Sequence, residues 1–253
     1  MQVDPGIYSE YLLRLGDTNF VLGHRLSEWL GKAPTIEEEL ALINIGLDLI
    51  GQARAIYKHA LSAGGDDRDE DQLVFLRDAH EYRNLLLVEK ENGDFGYTIA
   101  RQLAYSVYAR LYWEALSTSK DLEVAGVAAK AAKEARYHVK HAGEWLVRLG
   151  DGTEESHARC QDGVDQVWMY TGEMFEMDAV AQSVLKAGLG VDAALLKGEW
   201  LSQMSAWLDR STLTRPGDTW MVSGGRAGQH TEHLGRMLAE MQFLQRAYPG
   251  QKW

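Results

Sequence analysis

Long segments with helical periodicity dominate this chain of 253 residues, which contains only four prolines. The sustained alternation of apolar and polar residues that marks a half-buried strand does not occur. Several segments exceed 20 residues and short loops join them, which is typical of antiparallel neighbours in a helical bundle. We therefore predict an all-α fold. The predicted helices cover residues 7–30, 36–63, 70–91, 95–119, 121–149, 160–187, 193–210 and 229–247.

Local signals support some of these boundaries and give no sign of a second domain. Thr35 and Glu38 have the spacing of a capping box that opens the second helix, and Gly64-Gly65 ends it. Asp192 is a predicted cap of the seventh helix. Because no change of composition and no Pro/Ser-rich linker divides the chain, we interpret residues 1–253 as a single domain.

Composition and charge argue against several classes of protein. The chain has 37 acidic and 26 basic residues, and a formal charge of −11 disfavours nucleic acids and anionic membranes as partners. No stretch reaches the roughly 18 uncharged apolar residues of a membrane span, and the N-terminal residues lack the pattern of a secretory signal. A single cysteine, Cys160, fits a reducing compartment. We expect a soluble cytoplasmic protein.

The second predicted helix contains the segment LALINIGLDLI, residues 40–50, which is apolar almost all round. Such a helix is expected to run through the middle of a bundle. Asn44 and Asp48 lie one turn apart inside it. A buried carboxylate needs a cation, hydrogen bonds or a raised pKa, so Asp48 is expected to have a partner.

Carboxylates and histidines on the long helices raise the possibility of a metal site. Glu134, His138 and His141 share one helix face because an α-helix advances about 100° per residue. Dinuclear iron sites in such bundles use one Glu from each of two helices and a Glu-x-x-His pair from each of two others. The best inward set from four consecutive helices is Asp48, Glu81, Glu114, Glu134 and His138.

This set departs from the dinuclear pattern. Glu154 and His157 form the one Glu-x-x-His pair in the sequence, but they follow GDGT at a loop or helix start. Arg77 stands one turn before Glu81, and Arg110 stands one turn before Glu114, so each arginine could neutralise its carboxylate without metal. Spacing favours a metal-free core of salt bridges and hydrogen bonds over a working dinuclear site, without deciding between them.

Two further segments receive structural interpretations. The GGRAG stretch at Gly224–Gly228 has no preceding strand, so we interpret it as a flexible connection before the last helix rather than as a phosphate loop. In the segment GEMFEMDAV, Glu173 and Glu176 are interpreted as a solvated face that borders the core.

Five stretches in the same order closely resemble the structural subunits called PaaC of the phenylacetyl-CoA epoxidases, from about residue 8 to the C-terminus. They are LRLGDTNFVLGHRLSEW, LALINIGLDLIGQAR, NLLLVEKENGDFGYTIARQ, KEARYHVKHAGEWLVRLGDGT and GQHTEHLGRMLAEMQFLQRAYPGQKW. The resemblance implies a ferritin-like bundle with additional C-terminal helices. It also implies pairing with the catalytic A-type subunit, which holds the di-iron centre and epoxidises phenylacetyl-CoA with O2 and electrons that a reductase takes from NADPH.

The same resemblance implies that this chain is a structural subunit without cofactor, in which the candidate ligands named above form a vestigial face. The alternative is a self-sufficient di-iron carboxylate oxygenase that uses those ligands. For the partner surface, we predict the large rings of the first two helices, because one inner stripe does not require so many; the alternative is that they all point inward. These rings are Tyr8, Tyr11, Phe20, Trp29 and Tyr57.

Overall fold

The computed structural model describes residues 3–217 and 220–251, and these residues form no strand. They form α-helices joined by loops and three short 3-10 helices. The α-helices are α1 (Pro5–Ser27), α2 (Ile36–Gly64), α3 (Glu70–Leu76), α4 (Leu86–Glu89), α5 (Phe95–Leu116), α6 (Leu122–Gly150), α7 (Glu154–Trp168), α8 (Ala179–Ala187), α9 (Ala193–Arg210), α10 (Glu232–Met241) and α11 (Phe243–Ala247).

Four long helices, α1, α2, α5 and α6, form a bundle. α1 packs against α2, and α5 packs against α6, each pair as a hairpin. The hydroxyls of Tyr11 and Tyr112 lie 2.8 Å apart, and Tyr105 donates a hydrogen bond of 2.7 Å to Asn19. Residue numbers therefore rise along α1 as they fall along α5, so these two helices are antiparallel.

The connection between α2 and α5 runs the length of the bundle. α2 and α6 are also antiparallel, since Gln52 bonds Glu134 and His59 bonds Asp121. The order of directions is thus up, down, down, up, which requires a long crossover between the second and third helices of the bundle. This crossover, residues 65–94, contains α3 and α4. The predicted all-α, ferritin-like fold is confirmed.

The predicted helix over residues 70–91 is wrong. α3 ends at Leu76, and α4 is a single turn. Between them, backbone N–H groups bond to side chains of other segments: that of Arg83 to Asp17, that of Leu85 to Thr18. Because those donors are satisfied outside a helix, the chain remains extended along α1.

Two other predicted helices are also divided. The prediction over residues 160–187 becomes α7, a 3-10 helix at Gly172–Phe175, and α8. The last one is divided into α10 and α11 at Gln242, whose side-chain amide donates to the carbonyls of Val74 and Arg77. The bounds of α1, α2, α5, α6 and α9 agree with the predictions to within about three residues.

The predicted helix caps form only in part. The Thr35 hydroxyl accepts from the backbone N–H of Glu38 at 3.4 Å, but the Glu38 carboxylate turns to another partner, so half of the capping box is missing. Gly65 ends α2 with φ of 67°, a conformation that glycine adopts without strain. Asp192 precedes α9 as predicted, without a capping hydrogen bond from its side chain.

The five aromatic rings predicted as a partner surface are inside the chain. Their exposed fractions are 7% for Tyr8, 4% for Tyr11, 6% for Phe20, 9% for Trp29 and 1% for Tyr57. That prediction is wrong, because α2, the crossover and α8 pack against α1, and side chains of α1 bond to tyrosines of α5. The rings therefore fill the space between these elements.

α2 does not run through the middle of the molecule, as its apolar composition predicts. Its inner side is buried, but Leu40 and Leu47 on the outer side are 57% and 60% exposed. The α1 and α5 side of the bundle is covered by the crossover and by α7 to α9. Among the described residues, no helix is long and apolar enough to cross a membrane.

Candidate functional site on the seam between α2 and α6

The candidate ligands of α6 reach across to α2, each to a different partner. His138 Nε2 lies 3.0 Å from Asp48 Oδ2, and His141 Nε2 lies 2.8 Å from Glu38 Oε2. The amide of Gln52 donates to Glu134 at 2.8 Å. The seam is thus a series of separate pairs along two helices.

A fourth contact of the seam lies near the start of α6. His59 Nε2 is 2.7 Å from Asp121 Oδ2, and its Nδ1 is 2.9 Å from Glu123 Oε2. The Tyr8 hydroxyl also donates to Asp121, at 2.7 Å. Burial raises the pKa of Asp121, but hydrogen bonds from Tyr8, the Val124 N–H and His59 outweigh it and hold that pKa below its usual value. These bonds join α1, α2 and α6.

The predicted inward set does not converge. Asp48 and His138 meet, but the Asp48 side chain is 37% exposed rather than buried. Glu81 lies in an exposed 3-10 turn and accepts from the backbone N–H of Asp78. Glu114 faces Arg136 at 3.2 Å on the outside of the bundle. These positions do not fit a dinuclear iron site, and the described residues contain no group of three or more His, Cys, Asp or Glu that could hold a metal ion.

The arginines expected to neutralise these carboxylates have other partners. Arg77 Nη2 lies 2.5 Å from Asp17 of α1, and Arg110 donates to the Gln203 amide oxygen of α9. Glu154 is exposed at the first turn of α7, while His157 Nδ1 lies 2.8 Å from the carbonyl oxygen of Gly150. The Glu-x-x-His pair is therefore not directed to a common point.

Sequence reasoning missed a buried ion pair between α1 and the crossover. Asp17 is fully buried and Arg77 is 3% exposed. The Tyr57 hydroxyl and the Arg83 backbone N–H donate to the same carboxylate, at 2.6 and 2.8 Å. Leu13, Phe20 and Val21 lie one helical turn from Asp17, and an acidic residue on that apolar side was the available signal.

A second missed cluster joins α4 to the segment before α10. Glu89 is fully buried and accepts from the Asn84 amide and the Thr231 N–H. His230 Nδ1 lies 2.8 Å from the same carboxylate, and its Nε2 lies 2.9 Å from the Tyr82 carbonyl oxygen. Burial lowers the pKa of His230, but the Glu89 hydrogen bond and charge and the Tyr82 carbonyl outweigh it, so the pKa is raised.

The glycine-rich segment before α10 bonds to a carboxylate of its own chain. Glu173 is 1% exposed and accepts from the backbone N–H groups of Leu86, Gly224 and Arg226. The interpretation of Glu173 as solvated is wrong, and the GGRAG segment is anchored rather than loosely connecting. Its N–H groups are occupied by this internal anion, which agrees with the rejection of a phosphate loop.

The cavity next to the tyrosines of α1 and α5 is small. A cavity of about 30 Å³ is lined by Tyr11, Tyr105, Tyr108 and Tyr112, together with Asn19 and other side chains. A space of that size holds about one or two water molecules. An acyl-CoA does not fit there.

Two comparisons with known proteins agree with the fold. The family of phenylacetic acid catabolic proteins matches residues 6–253 of the chain. The C-type subunit of 1,2-phenylacetyl-CoA epoxidase from Escherichia coli K12 is 45% identical over 243 residues, which cover 96% of this chain and 98% of that protein. The family match spans nearly the whole sequence, and so does the similarity to this relative. The chain belongs to the family of phenylacetic acid catabolic proteins.

Proposed function

We propose that this chain is a non-catalytic structural subunit of a multicomponent phenylacetyl-CoA epoxidase, in which it pairs with the catalytic A-type subunit. The observation that carries the proposal is the dispersal of the candidate ligands along the seam. His138 and His141 bond to different carboxylates of α2, and Glu134 accepts from Gln52. Similarity to a protein named as one subunit of such an enzyme supports the proposal that this chain is part of a complex.

In the proposed complex, this chain requires no cofactor of its own. The di-iron centre belongs to the catalytic subunit, a reductase supplies electrons, and phenylacetyl-CoA is the substrate of the complex in the cytoplasm. The contribution of this chain is to fix the position of helices in its partner. Displacement of a reacting group by about 1 Å can lower a rate about a hundredfold, so a rigid support has a catalytic effect without touching substrate.

The proposed rigidity has a basis in the buried clusters. Asp17, Glu89 and Glu173 each accept several hydrogen bonds from segments far apart in sequence. Charge-assisted hydrogen bonds of this kind are stronger than neutral ones. They fasten the crossover to α1 and the C-terminal segment to the crossover, on the side of the bundle away from the exposed leucines of α2.

Iron analysis and reconstitution test the proposal. This chain, the catalytic subunit, and their co-produced complex are each purified without chelator and loaded anaerobically with Fe(II). We expect well under one iron per chain and no oxygenase activity for this chain alone, and activity for the complex with its reductase. The variants Glu134→Ala and His138→Ala should leave the iron content unchanged.

The self-sufficient enzyme makes the opposite prediction. About two irons per chain, lost in the Glu134→Ala and His138→Ala variants, together with turnover by this chain and reductase alone, would refute the structural role.

A further inference from the structure

We propose that the outer side of α2 and α6 is the surface on which the catalytic subunit docks, through a helix with an apolar stripe bordered by acidic residues. This inference rests on the proposed function and adds the location of the interface and the chemistry of the partner. We call this surface the α2–α6 face. It consists of an aliphatic ridge on α2, a groove between the two helices and a row of lysines on α6.

The ridge is the exposed apolar stripe of α2. Ile36, Leu40 and Leu47 are 71%, 57% and 60% exposed. Their spacing of four and seven residues places them on one side of the helix. On the opposite side, residues such as Ile45 and Leu49 are buried in the bundle. α2 is therefore apolar on two sides. The described residues of this chain cover the side of Ile45 and Leu49 and leave the ridge exposed.

The groove continues this surface toward the other end of α2. It has a volume of about 230 Å³ and is lined by Gly51 and Ala55 of α2 and by Gly126, Val127 and Lys130 of α6, with Gln52 at its base. A Cβ atom added to Gly51 or Gly126 would meet nothing within 4 Å. Packing within this chain thus does not require glycine at either position, although glycine weakens a helix interior. The two glycines permit a helix from outside to approach closely.

The charges beside the ridge and groove favour an acidic partner. Lys130 and Lys140 are 79% and 70% exposed at the side chain, and each contacts a single glutamate of its own helix. Lys133, between them, is exposed and has no ion pair among the described residues. This row stands out in a chain whose formal charge is −11. Acidic residues along a docked helix would complement it.

The area of the α2–α6 face is large enough for a stable interface. α2 and α6 have 29 residues each. At 1.5 Å per residue and about 10 Å per helix diameter, the pair presents a face of about 43 by 20 Å, or roughly 900 Å². A standard protein interface takes about 800 Å² from each partner.

A second copy of this chain is a less suitable occupant. In a two-fold symmetric pair the same patch lies on both sides of the interface. Both lysine rows would then enter one interface, where like charges repel. Among the described residues, the crossover packs against α1, α2 and α5, α7 and α9 pack against α5 and α6, and α8 packs against α1. The α2–α6 face is the side that these elements leave for a helix from another protein.

Substitutions on the face, with matched controls on α9, test the inference against the catalytic subunit of the same epoxidase. Leu40→Asp and Leu47→Asp disrupt the ridge, and Gly51→Leu fills the groove. The controls are Leu195→Asp, at a leucine that is 78% exposed, and Gly198→Leu, at a helical glycine where an added Cβ also meets nothing within 4 Å. Binding is measured by calorimetry, and folding by circular dichroism and thermal midpoint.

We expect the three face variants to weaken binding by at least tenfold, while both controls bind as the wild type does. Gly51→Leu should not lower the thermal midpoint of the free chain, so loss of binding by this variant cannot come from unfolding. Lys133→Glu should slow association and reduce its dependence on salt, whereas Lys197→Glu on α9 should not.

The outcomes separate the two proposals. If the wild type binds the catalytic subunit, and all face variants bind it equally well, the location is wrong and the proposed function stands. If the wild type shows no binding to the catalytic subunit, the proposed function fails. Self-association of the wild type that the face variants abolish, while they still bind the catalytic subunit with full affinity, would also overturn the location.

Discussion

The Glu89 carboxylate lies 2.8 Å from Nδ1 of His230, and the side chains are 0% and 4% exposed. The pair joins the crossover to the segment before α10. Because the Tyr82 carbonyl oxygen lies 2.9 Å from the other ring nitrogen, both nitrogens of His230 face acceptors. Two acceptors favour the doubly protonated ring, which donates at both positions.

This arrangement predicts that part of the stability is lost at high pH. The pKa of His230 is raised in the folded chain by its contacts with Glu89 and the Tyr82 carbonyl, despite the lowering effect of burial. Its contribution is therefore fully present below the unfolded pKa of about 6.5 and disappears as the pH rises through the folded pKa. His230→Gln should lose about 1–3 kcal/mol at pH 5.5 and less at pH 9, measured by urea unfolding.

The exposed His80 provides the control for that experiment. His80→Gln should change the unfolding free energy little at either pH. If the loss in His230→Gln is the same at pH 5.5 and pH 9, the histidine is not held in its protonated form.

We predict that a single substitution in the Asp17 and Arg77 pair lowers the stability strongly. Asp17→Ala removes the partner of a buried guanidinium and the acceptor of the Tyr57 hydroxyl, and should cost about 3–5 kcal/mol. The double variant Asp17→Asn with Arg77→Met should cost less than the sum of the two single changes, because no charge is left unpaired. Asp66→Ala, at an exposed pair with Arg68, should cost less than about 1 kcal/mol. Equal urea midpoints for Asp17→Ala and wild type would contradict the burial of this pair.

We predict that substitution of Asp48 lowers the stability less than its place in an apolar segment suggests. Its side chain is 37% exposed, so water can replace the carboxylate beside His138. Asp48→Ala should cost about 1 kcal/mol, and Asp48→Asn should cost less because its amide oxygen can still accept from the imidazole. Thermal unfolding of both variants checks this order. A loss above about 3 kcal/mol would mean that the carboxylate is buried, as in a tight ion pair.

We predict that the thiol of Cys160 is unreactive in the folded chain. It is fully buried, and burial raises its pKa to about 11. At pH 8 about one thiol in a thousand is then ionised, and the thiolate is the reactive form. An aromatic disulfide reagent should label Cys160 only after denaturant is added, whereas a cysteine introduced at the exposed position by Lys197→Cys should react at once. Rapid labelling of the native wild type would show that α7 opens readily.

The sequence by itself determined the helical class and most of the bundle. α1, α2, α5, α6 and α9 follow from apolar periodicity over many turns, since such a stripe can be buried only along one side of a helix. Gly65 marked the end of α2 for a local reason, its left-handed conformation. The resemblance of the five quoted stretches indicated the family that the comparisons show.

Tertiary structure decided where the periodic segments break. The predicted helix over residues 70–91 contains enough apolar residues to continue as helix. It does not, because donors such as the N–H groups of Arg83 and Leu86 bond to Asp17 and Glu173 from distant parts of the chain. Competition of this kind depends on residues more than 60 positions away in the sequence, so a local pattern cannot reveal it.

Tertiary structure also decided which apolar side chains remain exposed. The sequence shows that Tyr57 and Leu47 are both apolar and both on α2, and it favoured the rings as the partner surface. In the folded chain Tyr57 is 1% exposed and Leu47 is 60% exposed. The physical reason is that burial depends on which neighbour covers a side of a helix. α1 covers the side that carries Tyr57, while no described element covers the side that carries Leu47.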